Sequence, residues 1–186
     1  MNIKKIKQFS ILVIASMAVL TACKDTEVKP EDKPQNSTEL ITTMKLMLTD
    51  SSTGLTKTFV FRDTDGDGGS GPSTFDTIKL EAGKSYTCKV LLLDESKSEI
   101  DTISNEVEEE SHDHLFIYTV DNINVRFEIT DKDKNNLPLG LISKWRVGAP
   151  GKGKVKVTLK HQPGVKDGSA SPGETDAEVD FNCTIL

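Results

Sequence analysis

Apolar and polar side chains alternate one by one along much of the chain after residue 39, and this pattern restricts the possible folds more than any other feature. Val155, Val157 and Leu159 alternate with lysine and threonine, and residues 179–185 repeat the pattern. Successive side chains of a β-strand point to opposite faces, so alternation predicts strands with one buried and one solvated face. We expect no amphipathic helix here, and the pattern therefore predicts an all-β fold.

The number and spacing of these segments predict the architecture. Turn signals such as the glycine-rich segment 148–153 separate them. Eight or nine strands in about 148 residues predict an immunoglobulin-like two-sheet β-sandwich, with a small closed β-barrel as the alternative. In chain order the candidate strands are 44–48, 57–62, 75–81, 86–93, 114–120, 125–129, 137–147, 155–159 and 179–185.

The first 22 residues differ from the rest of the chain. Three lysines within residues 4–7 precede an apolar stretch over residues 9–20, which is shorter than the ~20 residues of a membrane-spanning helix. The stretch ends in Leu-Thr-Ala-Cys at residues 20–23. This pattern resembles a bacterial lipoprotein signal peptide with its lipobox, which implies cleavage before Cys23 and lipid attachment to its sulfur. An ordinary secretory signal or a short membrane anchor is the alternative.

Cleavage before Cys23 would leave 164 residues with 20 basic and 29 acidic side chains, a net charge of −9. Such an acidic chain lacks the clustered cations that neutralise nucleic-acid phosphates, so we expect no nucleic-acid partner. We expect three segments: a signal peptide over residues 1–22, the lipidated cysteine with a flexible polar tether over residues 23–38, and a β-sandwich domain over residues 39–186.

The C-terminal part carries a second resemblance. Residues 161–168 read His-Gln-Pro-Gly-Val-Lys-Asp-Gly, and residues 172–176 and 178–181 continue the pattern, while residues 108–118 combine acids, histidines and aromatics. These segments resemble a family of small, uncharacterised outer-membrane lipoproteins of Bacteroidota, which often accompany TonB-dependent receptors. The resemblance implies a lipid anchor in the outer membrane, a body facing the periplasm or the cell exterior, and a receptor protein as partner.

Two of the three histidines lie in that acidic segment. Glu110, His112 and His114 are spaced two residues apart, and on an extended strand they would project from one face at intervals of about 6.5–7 Å. Two imidazoles and a carboxylate can bind Zn²⁺ or Cu²⁺, and His161 could add a ligand if the fold brings it near. A solvated acidic loop without a ligand, and contact with haem or another ligand, remain open.

A second acidic motif resembles the start of a calcium-binding loop. Asp63, Asp65 and Asp67 alternate and are followed by Gly68, as in the first six positions of that loop. Thr74 stands where the motif requires a bidentate glutamate. A solvated hairpin loop is therefore favoured over a Ca²⁺ site.

Cys88 and Cys183 remain once Cys23 carries lipid. An even number of cysteines in an exported protein permits one disulfide. Both residues share the parity of apolar neighbours, so two buried thiols behaving as small hydrophobic side chains are the alternative.

The sequence carries no recognisable catalytic motif. It contains neither G-x-S-x-G nor the G-K-[ST] ending of a phosphate loop. We therefore expect a non-enzymatic binding or accessory module for an uptake receptor of a nutrient or a metal. The alternatives are a metal-capturing protein using Glu110, His112 and His114, and a structural or adhesive module that presents an apolar patch on an ordered loop over residues 161–175.

Overall fold

A computed structural model describes residues 40–66 and 69–186. The predictions for Cys23, for the segments 1–22 and 23–38 and for Asp67 concern residues outside these ranges. The described residues form ten strands and one helix. In chain order these are β1 (Thr43–Asp50), β2 (Thr56–Arg62), β3 (Thr74–Phe75), β4 (Ile78–Leu80), β5 (Ser85–Leu93), α1 (Ile103–Glu109), β6 (His114–Asp121), β7 (Val125–Ile129), β8 (Ile142–Val147), β9 (Gly151–His161) and β10 (Glu174–Ile185).

The strands form two sheets. One has six strands in the order β3-β2-β1-β5-β8-β7, and the other has four in the order β4-β10-β9-β6. Neighbouring strands are antiparallel except for β4 and β10, which are parallel. Within the described residues the sheets do not close into a barrel, so the prediction of an all-β two-sheet sandwich is confirmed.

One predicted strand, 75–81, is divided between the two sheets. Asp76 donates its backbone N–H to the Val60 carbonyl and accepts the Val60 N–H on its carboxylate, both at 2.9 Å. The side chain thus supplies a hydrogen bond that the backbone of a continuing strand would have made. The chain then leaves the six-stranded sheet after β3 and joins the four-stranded sheet as β4.

The core lies between the sheets and follows the alternation of the sequence. In β8 every second residue is buried, and β10 shows the same alternation over its C-terminal part. Trp145 of β8, Phe116 of β6 and Phe181 of β10 are the largest fully buried side chains. The Trp145 indole N–H donates to the hydroxyl of Ser143 at 2.9 Å, so its one polar group is satisfied inside the core.

The expectation of no amphipathic helix is wrong. Helix α1 places Ile103 and Val107, one turn apart, in the core, and the Ser104 hydroxyl accepts the Leu92 N–H at 2.5 Å. Two apolar residues in seven are too short a pattern to indicate a helix from sequence. In the described part of the chain, no helix has the length and apolar character needed to cross a membrane.

The disulfide that the sequence permits between Cys88 and Cys183 is absent from the structure. Both cysteines lie in the described residues, and both are free and buried, Cys88 on β5 of one sheet and Cys183 on β10 of the other. Burial raises the pKa of the Cys183 thiol to about 11 and also raises that of Cys88. The structure thus places the two thiols in the core, where they pack as small hydrophobic groups.

We expect Cys88 and Cys183 to resist alkylation in the folded protein, because a buried thiol with a raised pKa offers little reactive thiolate. Mass spectrometry after treatment with iodoacetamide, with and without denaturant, would measure this protection. Both cysteines should be modified once the chain is unfolded. A peptide pair joined through Cys88 and Cys183 in a non-reduced digest would contradict the structure.

Candidate functional site

Two histidines face each other at one end of the four-stranded sheet. β6 begins at His114 and β9 ends at His161, and the antiparallel register makes them direct cross-strand partners. Their rings are stacked, with centroids 4.8 Å apart and planes inclined by 9°. They continue the inward-facing rows of Phe116 and Leu159, so the site lies where the core reaches the end of the sandwich.

A carboxylate from the third strand joins this pair. The register of β9 and β10 shifts between Thr175 and Ala177, which leaves Asp176 as the extra residue of a β-bulge. Regular alternation with inward-facing Ala177 would point Asp176 to the outer face, but a bulge redirects a side chain. Asp176 Oδ2 accordingly lies 3.8 Å from His114 Nε2.

The surroundings of His114 determine which ring nitrogen is available. Only 6% of His114 is exposed, and its Nδ1 lies 3.1 Å from the Glu110 carbonyl oxygen. A carbonyl can only accept, so Nδ1 carries the proton and the neutral ring keeps a free lone pair on Nε2. The hydrogen bond from Nδ1 to the Glu110 carbonyl thus orients Nε2 of His114 toward Asp176.

Burial dominates the electrostatics of the site. It lowers the pKa of His114, and the neighbouring imidazole of His161 lowers it further, although the Glu110 carbonyl and Asp176 oppose the change. Burial also raises the pKa of Asp176, against the opposing influence of both histidines. The environment therefore favours a neutral imidazole, which is the form of histidine that binds metal ions.

The arrangement has the chemistry of a metal site. One ligand atom from each of His114, His161 and Asp176 can be chosen so that all three lie within 4.8 Å of one another. Two imidazoles and one carboxylate are a common set of protein ligands for Zn²⁺ and related transition metals. Within residues 40–66 and 69–186 no other group of three histidines, cysteines or acids comes together in this way.

The predicted ligand set of Glu110, His112 and His114 is wrong in its geometry. Glu110 caps the C-terminus of helix α1, and His112 lies in the turn that follows, so the three residues do not share the face of a strand. His112 is 36% exposed in its side chain and lies 3.4 Å from the Asp113 carboxylate. His114 is common to both sets, and the fold does bring His161 near, as we considered possible.

The acidic loop after β2 is described only in part. Asp65 accepts the Ser70 N–H at 2.8 Å, and this bond lowers its pKa, whereas burial raises the pKa of Asp63. Asp67, the third predicted calcium ligand, lies outside the described residues. The hydrogen bond within the loop supports the alternative of a hairpin loop stabilised by its own aspartate.

The loop between β9 and β10 is anchored beside the histidines. Gln162 is completely buried, and its side-chain amide donates to the carbonyls of Ser169 and Pro172, both at 2.9 Å. Gly173 has φ of 78°, and a Cβ there would lie 2.0 Å from the His161 carbonyl oxygen. Only glycine fits this position, so both ends of the loop are held against His161.

A buried ion pair fastens the middle of the same loop. Lys166 Nζ lies 2.9 Å from Asp133 Oδ2 and donates to the Ser111 carbonyl at 2.8 Å. The two charged side chains are 2% and 0% exposed. Lys166 thereby connects its own loop to the loop between α1 and β6 and to the loop between β7 and β8. Val165 is the large apolar side chain that this loop exposes. The apolar area of one side chain is smaller than the patch that an adhesive module would need.

Comparisons with protein-family models, with curated proteins and with solved structures gave no match to this chain.

We expect Lys166→Met to lower the free energy of unfolding by about 3–5 kcal/mol, because it leaves the buried Asp133 carboxylate without its cation. Arg146→Ala is the matched control, since it breaks an exposed pair with Glu128 and should cost about 0–1 kcal/mol. Urea denaturation of the two variants and the wild type would measure both changes. Equal losses of free energy of unfolding would mean that the buried ion pair stabilises the fold no more than the exposed pair does.

The same pair should make stability depend on pH. Burial, the largest influence, raises the pKa of Asp133, but Lys166 and the N–H groups of Leu137 and Asn135 together bring it below 3.8. A carboxyl with a lowered folded-state pKa stabilises the fold above its unfolded-state pKa, and the contribution is lost as the pH falls through the folded value. The cost of Lys166→Met should therefore shrink as acid protonates Asp133, and a cost independent of pH would contradict the assignment.

Proposed function

We propose that the protein is a lipid-anchored, non-enzymatic binding module of the outer membrane that captures a ligand and serves an uptake receptor. The observation that carries the binding role is the convergence of His114, His161 and Asp176 from three strands at one end of the sandwich. Polar groups that converge at the end of a rigid scaffold are typical of binding sites.

The anchoring part of the proposal rests on the sequence. A basic start, an apolar stretch and Leu-Thr-Ala-Cys at residues 20–23 are the elements of a lipoprotein signal. Each buried methylene of an attached lipid contributes about 0.8 kcal/mol to membrane binding, and several chains on one residue hold a protein stably. The net charge of −9 beyond Cys23 keeps the body soluble beside an anionic membrane surface.

The loops support a binding role over an adhesive one. Gln162 and Lys166 hold the loop over residues 162–173 firmly, and this loop borders the histidine pair. A fixed border keeps binding groups in place without a conformational cost on binding. The proposed binding end is therefore preorganised.

The anchor can be tested by replacing Cys23. Wild-type protein expressed in a Bacteroidota host should incorporate labelled palmitate and fractionate with the outer membrane. Cys23→Ser should lose the label and the membrane association, because the sulfur that carries the lipid is gone. Cys183→Ser, which removes a buried thiol elsewhere, is the matched control and should retain both. Membrane association of Cys23→Ser would refute lipid anchoring.

The accessory role can be tested in the same cells. Chemical crosslinking followed by purification of the wild-type protein should recover an outer-membrane receptor, and the Cys23→Ser variant should not, since it is released from the membrane. Absence of a receptor from the wild-type sample in several growth media would refute this part of the proposal.

A further inference from the structure

We infer that His114, His161 and Asp176 bind one divalent transition-metal ion of the Zn²⁺ class. This inference deepens the proposed function by naming the ligand, and only its biological setting rests on that function. The ion would lie at the open end of the core, between the first residue of β6, the last residue of β9 and the bulge of β10.

The spacing of the donor atoms suits an ion better than direct contact. At 3.8 Å, His114 Nε2 and Asp176 Oδ2 are too far apart for a hydrogen bond. Metal–ligand distances of about 2.0–2.1 Å in a tetrahedral site correspond to ligand separations of about 3.3 Å. This pair therefore needs to close by about 0.5 Å, and the widest separation of 4.8 Å needs to close by about 1.5 Å. His161 and Asp176 are only partly buried, so binding would require rotation of these two side chains toward His114.

The three ligands are unequal in burial, and the most buried one, His114, is already oriented. The Glu110 carbonyl accepts from Nδ1 of His114, as the second partner of a metal-bound histidine commonly does. His161 follows the regular ladder of β9, and Gly173 packs against its carbonyl. Two ligands therefore project from paired strands, which place side chains more accurately than free loops do.

The bulge supplies an independent reason to expect a ligand. It interrupts the longest strand pairing of the sheet and turns a carboxylate into a partly buried place, where the Asp176 side chain is only 20% exposed. Burying a carboxylate without a strong partner is costly. A cation coordinated by Asp176 and both histidines would offset that cost.

The donor set also selects among cations. Ca²⁺ and Mg²⁺ prefer six or more oxygen ligands, and this group offers one carboxylate. Two imidazoles favour Zn²⁺, Cu²⁺ and their neighbours in the first transition series. Three protein ligands leave a coordination position open, unlike the closed four-ligand sites that serve only to stabilise a fold. An open position suits an ion that is to be passed to a receptor.

Titration calorimetry with ZnCl₂ on the full chain, purified in detergent without a polyhistidine tag and freed of metal by chelator, would test the inference. We expect saturable binding of one Zn²⁺ per chain. His161→Ala and Asp176→Asn should each weaken binding by at least roughly 10–100-fold, the loss seen even when outer partners of metal ligands are removed. His112→Ala should bind as the wild type does, and it is the matched control because His112 is the one histidine outside the group.

The two ligand variants are chosen so that folding does not confuse the result. His161 and Asp176 are half-buried, whereas His114 is buried and its replacement is the most disruptive of the three. Circular dichroism of the metal-free variants should match that of the wild type. Co²⁺ provides a second readout, since its visible absorption reports the ligands of the bound ion, and this spectrum should change in both ligand variants and persist in His112→Ala.

Three results would overturn the inference. The first is no Zn²⁺ binding by the wild type. The second is unchanged binding by His161→Ala and Asp176→Asn. The third is loss of binding confined to His112→Ala. Palmitate labelling and receptor recovery are measured separately from these titrations. If they succeed while zinc binding fails, the metal assignment is wrong and the anchored binding module stands.

Discussion

Burial of alternating apolar side chains between two sheets is the constraint on which the rest of this structure depends. Each strand must present its apolar row inward, and a shift of one residue would expose the whole row. The apolar rows of β6, β9 and β10, which contain Phe116, Leu159 and Phe181, therefore fix the register of these strands. The same register extends to the ends of the strands. His114 and His161 meet because they continue two of these rows beyond the apolar core.

The sequence predicts this framework well because alternation is a local property. Five of the nine predicted strands lie within two residues of their expected limits at both ends. Of the other four, 75–81 is divided, 137–147 begins only at Ile142, and 155–159 and 179–185 extend further toward the N-terminus than expected. The two-sheet arrangement follows from the number and spacing of the strands. The departures occur where a side chain replaces a backbone partner or where a pattern is too short. Asp76 ends β3 by bonding to Val60, and α1 contributes only Ile103 and Val107 to the core. Neither effect has a periodicity that could be recognised in advance.

The candidate site could be predicted only in part, for a related reason. Histidines spaced two apart lie on one face only if the segment is extended, but the helical turn ending at Glu110 leaves His112 outside β6. The pairing of His114 with His161 joins residues 47 positions apart, and it depends on which strands become neighbours. Asp176 reaches the histidine pair because of a β-bulge, and no residue type or spacing in the sequence indicates that bulge. Knowing that β6, β9 and β10 adjoin would have been enough to expect the histidine pair, but not the carboxylate.

The contrast between polar groups inside the core and those at its end shows why the site is distinctive. Within the core, the Trp145 indole N–H donates to Ser143, and at its margin the hydroxyl of the partly buried Tyr118 donates to the Gly140 carbonyl at 2.6 Å. These groups have short, direct partners, as buried polar atoms require. At the end of the core, His114 is buried and the Asp176 side chain is 20% exposed, and His114 Nε2 lies 3.8 Å from Asp176 Oδ2. This separation is too long for a hydrogen bond, so the His114–Asp176 pair differs from the directly bonded polar groups of the core.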